Sequence, residues 1–332
     1  MDSVTQVVLG ATVASACVPE AHRRKAALIG AALGTLPDLD VFIDYGDAVA
    51  NFTLHRGFSH SLLVLLPFAA FLWYVLKRNY DPVKSAPKAW YWAITLALVT
   101  HPLLDAHTAY GTQLLWPFNI TPTMWSTLFI IDPLYTLPLL IAFIVVLTVP
   151  RSIWSRRFIL SGLVLSSMYL AWSWVAKVIV YDRIDQVVAS TSDEHQVFTT
   201  PTPFNTLMWR IVVVGEETYQ EGYFHFLHPG EVSFNTHELN RDLFTEAADL
   251  ASVQQLQWFA NGFNRADIIA AELVITDLRM GFEDNYVFRH KVARQVENRW
   301  QEISSIKLPR QLNSDDLEEF KAMFFQRQID EN

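Results

Sequence analysis

The sequence predicts a mainly α fold, in which a polytopic transmembrane helical bundle is followed by a soluble α+β C-terminal domain. Long apolar runs fill the first half of the 332-residue chain, and alternating or β-branched runs occur only in the second half. Charge divides at the same place, because residues 1–184 carry 13 Lys and Arg against 10 Asp and Glu, whereas residues 185–332 carry 12 against 24. We therefore predict a membrane-embedded domain over residues 1–182 and a soluble acidic domain over residues 183–332.

Six segments of the first half are expected to be helices. Four of them are the apolar runs Ser61–Leu76, Ala89–Thr100, Ser126–Val149 and Phe158–Val180. The last two are long enough to cross about 30 Å of hydrocarbon, whereas the first two need flanking residues to do so. The other two, Val4–Val18 and Ala26–Leu36, are short and rich in Gly and Ala. Because small residues permit close approach in bilayers, we expect these two to form a hairpin against the longer helices.

Basic residues cluster in the loops that separate successive helix pairs. The clusters are Arg23 to Lys25, Lys77 to Lys88, and Arg151 to Arg157. If the helices alternate in direction, all three clusters lie on one side, which the positive-inside rule makes cytoplasmic. The polar clusters described below and the C-terminal domain are then extracytoplasmic.

The second half is expected to combine strands and helices. The predicted strands are Leu207–Val214 and Thr218–Leu227, joined by a turn at Gly215-Glu216-Glu217, and Ala271–Met280 with Tyr286–His290. The predicted helices are Leu243–Phe259 and Asp315–Gln326, the latter capped by Ser314. The acidic charge of this half argues against a nucleic-acid partner, because a phosphate backbone needs basic surface. An envelope protein is one candidate partner for it.

Three polar clusters lie where hydrophobic runs begin or end. They are Pro37-Asp38-Leu39-Asp40, His55-Arg56-Gly57-Phe58-Ser59-His60 and His101-Pro102-Leu103-Leu104-Asp105. Residues i and i+4 share a helix face, so His101 and Asp105 can point at one ion. Imidazole and carboxylate together suit zinc or another divalent metal. Because uncompensated polar groups are costly beside lipid, their recurrence predicts a metal site near the membrane edge.

Eight side chains are assigned roles in this predicted site. The metal ligands are Asp40, His55, His60, His101, Asp105 and Asp132, and the catalytic residues are Asp38 and Arg56. Arg56 is expected to bind an anionic substrate oxygen, and Asp38 or Asp40 to orient or deprotonate a water. Plainer roles stay open: a core hydrogen-bond pair for His101 and Asp105, an ion pair with a nearby Asp for Arg56, and loop caps for the carboxylates of Asp38 and Asp40.

Four motifs in order carry a family resemblance. They are Asp2-Ser3-Val4-Thr5-Gln6, Gly34-Thr35-Leu36-Pro37-Asp38-Leu39-Asp40, His55-Arg56-Gly57-Phe58-Ser59-His60-Ser61, and His101-Pro102-Leu103-Leu104-Asp105 with Tyr110-Gly111-Thr112. With them, residues 1–180 resemble the YdjM family of membrane-bound metal-dependent hydrolases of bacterial inner membranes, which is distantly similar to zinc-dependent phospholipase C and P1-type nucleases.

The resemblance implies a ligand set. His101 and Asp105 would be ligands, with Asp105 as a candidate bridge between two ions, and His55, His60 and an Asp of the Pro-Asp-Leu-Asp motif would supply the rest. The chain has no clear downstream His-x3-Glu of the phospholipase kind. One or two ions are therefore expected rather than three.

Together these observations predict a metal-dependent hydrolase in the bacterial inner membrane. One or two divalent ions, zinc in the first place, would activate a water against a phosphoester or lipid-linked substrate, with membrane lipids as partners. The alternative is a non-catalytic metal-binding membrane protein, for transport or structure, whose acidic C-terminal domain binds a partner. The lone Cys17 excludes an intrachain disulfide and a Cys-rich zinc module.

Overall fold

The computed structural model describes residues 1–188, 195–228, 230, 232–283 and 285–310. The chain divides into two compact units. The first comprises Met1–Tyr45, Thr53–Val178 and Pro203–Thr206, and the second comprises Gly46–Phe52, Ile179–Thr202 and the described part of Leu207–Asn332. The division into domains at residue 182 stays a prediction.

The N-terminal half is mostly helical, as predicted. Its α-helices are α1 (Ser3–Cys17), α2 (Arg23–Thr35), α3 (Ala48–Leu54), α4 (Leu62–Asn79), α5 (Asp81–Ser85), α6 (Pro87–Asp105), α7 (Pro133–Thr148) and α8 (Ile153–Val188). Three short 3-10 turns cover Glu20–His22, Pro37–Phe42 and Phe58–His60. The last two of these turns carry site residues.

Close backbone packing joins α1 to α2. A Cβ atom built on Gly10 would lie 2.3 Å from the carbonyl oxygen of Gly30, and one built on Gly34 would lie 2.5 Å from the carbonyl oxygen of Gln6. The glycines therefore let the two helices touch main chain to main chain, as the Gly- and Ala-rich composition predicts. This contact brings the C-terminal end of α2 and the N-terminal half of α1 beside the polar centre described below.

Helix α6 carries its polar end into the interior because its apolar face leads there. Trp90, Ile94 and Leu98 are fully buried at successive turns, and the same face continues to His101 and Asp105, which are also fully buried. The helix packs against α1, α2 and α4. Neighbouring helices thus close over both polar side chains.

Two helices of the described chain are long and apolar enough to cross a membrane. They are α4 and the segment Ile153–Ile184 of α8, while α1 and α7 are shorter apolar helices. The structure supports a mostly helical half with two candidate spans, and the polytopic bundle stays a prediction. Few side chains in either span are buried, and the exposed apolar ones include Phe71 at 63% and Val178 at 65%.

The prediction of a spanning helix over Ser126–Val149 was wrong in its first turns. Asp132 accepts hydrogen bonds from the backbone nitrogens of Leu134 and Tyr135, and Pro133 occupies the first helical position. Both features start a helix at this point. Only 16 residues of α7 remain, fewer than the roughly 20 that a span needs.

The second unit contains two four-stranded antiparallel sheets. Strands β1 (Gln196–Pro201), β2 (Met208–Val214), β3 (Thr218–His225) and β4 (Phe234–Glu238) form one sheet in chain order, and β5 (Asn264–Ile269), β6 (Glu272–Asp277), β7 (Arg289–Val296) and β8 (Arg299–Lys307) form the other. The predicted hairpin around Gly215 is β2 with β3, and the second predicted pair is β6 with β7.

Of the two helices predicted for the second half, one is interrupted and the other lies outside the described residues. Leu243–Phe259 is interrupted, because the chain forms α9 (Arg241–Glu246) and then α10 (Ala251–Ala260), whose N-terminal cap is Leu250 in extended backbone. The predicted helix Asp315–Gln326 with its cap Ser314 lies outside the described residues.

His290 on β7 gives the second unit a predicted acid sensitivity. Its ring is 1% exposed against Phe52 and Phe288. Burial, reinforced by the charge of Lys307, lowers its pKa to about 4. An unfolded histidine titrates near 6.5, so the unfolded chain takes up the extra proton and stability falls as pH drops from about 6.5 towards 4, by about 3 kcal/mol in all. His290→Phe should remove this fall.

Hydrogen exchange of peptides from β7 measures this loss of stability in acid. Wild type and His290→Phe are compared at each pH from 7.5 to 5. At acidic pH, peptides from β7 should exchange faster in the wild type than in His290→Phe measured at the same pH. An equal acid response in both proteins would contradict the role of His290.

Gly30 tests the close packing of α1 and α2. A Cβ at this position would lie 2.3 Å from the carbonyl oxygen of Gly10 and 2.5 Å from the Cβ of Ala14. In an open helix Gly→Ala stabilises by up to about 1 kcal/mol, but here we expect a loss of about 1–3 kcal/mol from overpacking. The measurement is the thermal midpoint in detergent for Gly30→Ala.

The matched control is Gly215→Ala, where the added Cβ meets its nearest neighbour at an ordinary 3.4 Å. This control should leave the midpoint within a degree or two. A Gly30→Ala protein as stable as wild type would show that the two helices do not need backbone contact.

Candidate metal centre

Four side chains from three separate segments converge on one point. Asp38 comes from the 3-10 turn Pro37–Phe42, His60 ends the 3-10 turn Phe58–His60, and His101 and Asp105 lie one turn apart at the end of α6. One ligand atom from each lies within 4.8 Å of the others. The Nε2 atoms of His60 and His101 are 3.1 Å apart. Each Nε2 lies 3.3 or 3.4 Å from the carboxylate oxygens Oδ1 of Asp38 and Oδ2 of Asp105.

These spacings match a tetrahedral ion. Zinc bonds of about 2.0–2.1 Å to nitrogen and oxygen imply ligand-to-ligand edges of about 3.3–3.4 Å. The cluster is also buried: the side chains of His60, His101 and Asp105 are 0% exposed and that of Asp38 is 22% exposed. Two carboxylates removed from water in one place need positive charge beside them, which a metal ion between them would supply.

The tautomer of His101 is fixed by the backbone of α2. Its Nδ1 lies 2.5 Å from the carbonyl oxygen of Gly34. A carbonyl oxygen only accepts, so Nδ1 carries the proton and donates it. The Nε2 atom of the neutral ring therefore presents a lone pair to the centre, which is how a backbone carbonyl orients a metal-binding imidazole.

Ser59 and Asp40 fix the tautomer of His60. The hydroxyl of Ser59 donates to Oδ2 of Asp40 at 2.5 Å, and its oxygen lies 2.9 Å from Nδ1 of His60. Because the single hydroxyl proton goes to the carboxylate, the Ser59 oxygen accepts from Nδ1 of the ring. Nε2 of His60 therefore also presents a lone pair.

Lone pairs thus face one another with no proton between them. Oδ2 of Asp105 accepts no hydrogen bond from the part of the chain that the structure describes. The donor set of two imidazoles and two carboxylates fits zinc or a similar divalent transition metal.

Asp40 and His55 lie behind this centre as a pair. Oδ1 of Asp40 is 2.8 Å from Nδ1 of His55, and Oδ2 accepts from the backbone nitrogen of Arg56 at 3.0 Å. The His55 ring, with its side chain 22% exposed, lies 6.0 Å from that of His60, centroid to centroid. Neither is among the four converging residues, so their assignment as metal ligands stays a prediction.

Arg56 supplies a fixed positive charge beside the cluster. Its Nε lies 3.2 Å from Oδ2 of Asp105, and Nη1 donates to Oγ1 of Thr108 at 3.2 Å. The guanidinium lies 4.8 Å from the ring centre of Tyr110. The residue has a φ of 63°, a strained conformation held here by the hydrogen bond from its backbone nitrogen to Asp40. Its substrate-binding role stays a prediction.

The structure gives Asp132 and His107 other neighbours. Asp132 caps α7 and accepts a hydrogen bond from the hydroxyl of Tyr169 at 2.8 Å. His107 donates from Nδ1 to the carbonyl oxygen of Leu103 at 2.8 Å, and its ring lies 4.7 Å from that of Trp125. Neither belongs to the group of four, and a ligand role for Asp132 stays a prediction.

Sequence reasoning missed the supporting role of α1. Nε2 of Gln6 donates to Oδ1 of Asp105 at 3.0 Å and to the carbonyl oxygen of His101 at 3.3 Å. The amino group of Met1 also contacts Asp105. The signal was a single amide in an apolar helix, since a buried polar side chain needs a partner.

Comparison with known proteins identifies the family of the helical half. Residues 1–180, more than half of the chain, match the family described as YdjM inner membrane protein. The chain belongs to the YdjM family. All four converging residues lie inside the matched region. The family description and the two apolar helices support a membrane location.

A curated relative is similar over a shorter stretch. The protein YfhP of Bacillus subtilis (strain 168), described as uncharacterized, is 30% identical over 126 residues, which is 36% of this chain and 38% of YfhP. The chain thus spans less than two fifths of that relative. No solved structure matches the chain.

Metal content tests the centre. His101→Ala removes one of four ligands, so the purified full-length protein, dialysed against metal-free buffer, should lose most of its divalent metal. Gln6→Ala, which removes a hydrogen bond to a ligand, should weaken metal affinity by about 10- to 100-fold. The measurement is elemental analysis of protein-bound metal.

His228→Ala is the matched control, because His228 is exposed in the other unit. It should keep its metal. Equal metal content in His101→Ala and wild type would show that the four residues do not bind the ion.

Proposed function

We propose that this protein is a membrane-bound metal-dependent hydrolase of phosphoesters. One observation supports it above the others: four donor atoms on three segments, three of them on buried side chains, lie together, and five of the six distances between them are 3.1–3.4 Å, close to the edges of a tetrahedral metal site. Asp38 rather than Asp40 enters the proposed ligand set, together with His60, His101 and Asp105. One ion fits these four residues.

The bound ion would supply Lewis acidity that polarises a phosphoryl oxygen and eases deprotonation of water. Zinc is the proposed metal, because neutral imidazoles and carboxylates are ligands that it accepts in tetrahedral sites. The distant likeness to zinc-dependent phospholipase C and P1-type nucleases belongs to the same proposal.

Arg56 is proposed to bind the anionic substrate. Its guanidinium lies beside Asp105 and Thr108 at the edge of the cluster. Arginine is always charged and presents several donors to phosphate oxygens. Its contact with Asp105 holds the guanidinium in place before substrate arrives, so little side-chain entropy is lost when substrate binds.

The pair of His55 and Asp40 is proposed to handle the proton. His55 is half-buried beside the cluster, and Asp40 holds its Nδ1 at 2.8 Å. In this reaction the water oxygen bonds to phosphorus and the ester P–O bond breaks. The proton released by the water passes to Nε2 of His55 and then to the leaving oxygen.

The extracytoplasmic orientation is proposed from the ends of the helices. Helix α4 begins next to His60 and ends with Lys77 and Arg78, and α2 begins with basic residues and ends by Gly34. The basic ends therefore lie opposite the metal centre, and the positive-inside rule makes them cytoplasmic. Helix α8 also begins at a basic loop, which leads the C-terminal half to the extracytoplasmic side.

Turnover of phosphoester and phospholipid panels, with and without chelator, tests the hydrolase. We expect chelation to abolish activity and zinc to restore it. His55→Gln should lower kcat by about 10²- to 10⁴-fold, the usual loss of a general base, while the metal stays bound. His228→Gln is the matched control. Activity that survives chelation, or full activity in His55→Gln, would contradict the proposal.

A structural metal site in a non-catalytic membrane protein is the second candidate. The burial of three ligands favours it, because an ion there would clamp α6 to two 3-10 turns. The acidic C-terminal half would then bind an envelope partner. Chelation in this case lowers the thermal midpoint while no substrate is turned over.

A further inference from the structure

Exposed apolar side chains lie on the two 3-10 turns that carry site residues and on the loop that contains Trp116 and Phe118. We call them the apolar collar: Leu39, Val41, Phe42, Phe58, Trp116 and Phe118. Phe42 is 83% exposed and Phe118 is 63% exposed. Large apolar side chains grouped in this way on neighbouring segments mark a surface that something covers.

The collar is fixed to the first turn of α4. The hydroxyl of Ser61 donates to the carbonyl oxygen of Trp116 at 2.7 Å, and the backbone nitrogen of Leu62 donates to the carbonyl oxygen of Leu114 at 2.9 Å. The Phe58 and Trp116 rings lie 6.3 Å apart, edge to face. The loop that bears Trp116 and Phe118 is thus held at this end of the helix.

The neighbouring helix α4 indicates what kind of surface the collar belongs to. It is a candidate membrane span with few buried side chains, and its exposed residues include Leu63 and Leu66 at 46% each. These residues lie in the first turns, directly after the collar. With α4 across a membrane, the collar would continue its exposed apolar surface to the edge of the bilayer, where aromatic rings favour the interface.

The same geometry sets the depth of the metal centre. His60 precedes Leu62, the first residue of α4, by two positions, which is only a few ångströms along the chain. Leu39, 51% exposed, stands between Asp38 and Asp40. With α4 across a membrane, donor atoms and apolar side chains would therefore alternate at the depth of lipid head groups.

We propose that the apolar collar inserts into the bilayer interface and delivers the phosphate of a membrane phospholipid to the metal centre. The occupant is a bilayer lipid, because the collar is continuous with the exposed surface of a candidate span. This inference rests on the proposed hydrolase for its substrate and on the fold alone for the insertion. The acyl chains would stay in the bilayer beside the collar while the head group reaches Arg56.

Spin labels measure the insertion without any need for activity. In a Cys17→Ser background, Phe42→Cys and Phe118→Cys each accept one nitroxide, in vesicles of phosphatidylethanolamine and phosphatidylglycerol. Collisions with oxygen should speed the spin relaxation of both labels more than collisions with a water-soluble nickel chelate do. A label at Leu66→Cys in α4 should behave in the same way. A label at Gln254→Cys, exposed on α10, should show the opposite preference. Collar labels that behave like Gln254→Cys would overturn the insertion.

Turnover measures the delivery of lipid. For Phe118→Ser, the ratio of turnover on phospholipid in those vesicles to turnover on a short-chain soluble phosphoester should fall about tenfold, as expected for loss of one buried aromatic side chain at the interface. Leu227→Ser is the matched control, since Leu227 is 64% exposed in the other unit. Its ratio should not change.

An unchanged ratio in Phe118→Ser would overturn the delivery of lipid by the collar. Inserted labels, with no turnover of either substrate by the unaltered protein, would overturn hydrolysis and leave the inserted collar standing. A second copy of the chain on the collar would be recognised by labels that broaden one another at short range, which also overturns the proposal.

Discussion

The structure depends on one electrostatic constraint, which is that two imidazole lone pairs and two carboxylates face each other inside a helical unit. Hydrogen bonds to Gly34 and Ser59 fix the rings of His101 and His60 so that neither places a proton in the gap. A divalent cation satisfies all four groups at once. The segments that carry them, α6 and two 3-10 turns, are far apart in sequence, so the ion would add a link between parts of the chain that helix packing already brings together.

The helix packing around the centre serves this constraint. Gly10, Gly30 and Gly34 bring α1 and α2 into backbone contact, and that contact places the Gly34 carbonyl and the Gln6 amide where the two α6 ligands need partners. A larger residue at any of these glycines would move a hydrogen-bond partner as well as a helix. Stability and metal geometry are therefore coupled through the same small residues.

Helical periodicity accounts for what the sequence predicts correctly. Spacing by four placed His101 and Asp105 on one face, and small residues indicated the close pair of α1 and α2. The directions of Asp38 and Asp40 were harder to predict, because both residues lie in a 3-10 turn rather than in extended backbone. The turn directs Asp38 to the centre and Asp40 to Ser59. The late start of α7 follows from the cap at Asp132, a local signal that a hydropathy pattern averages away. Strands such as β8 have weak alternation and depend on their neighbours in the sheet.

X-ray absorption at the zinc edge, on the full-length protein loaded with one equivalent of zinc in detergent, tests the central claim most directly. The expected spectrum shows four nitrogen or oxygen ligands at about 2.0–2.1 Å, with the outer scattering of two imidazoles, and it loses one imidazole in His60→Ala. A zinc ion with fewer than two imidazoles in the wild type, or a spectrum that His60→Ala leaves unchanged, would contradict the four-residue centre.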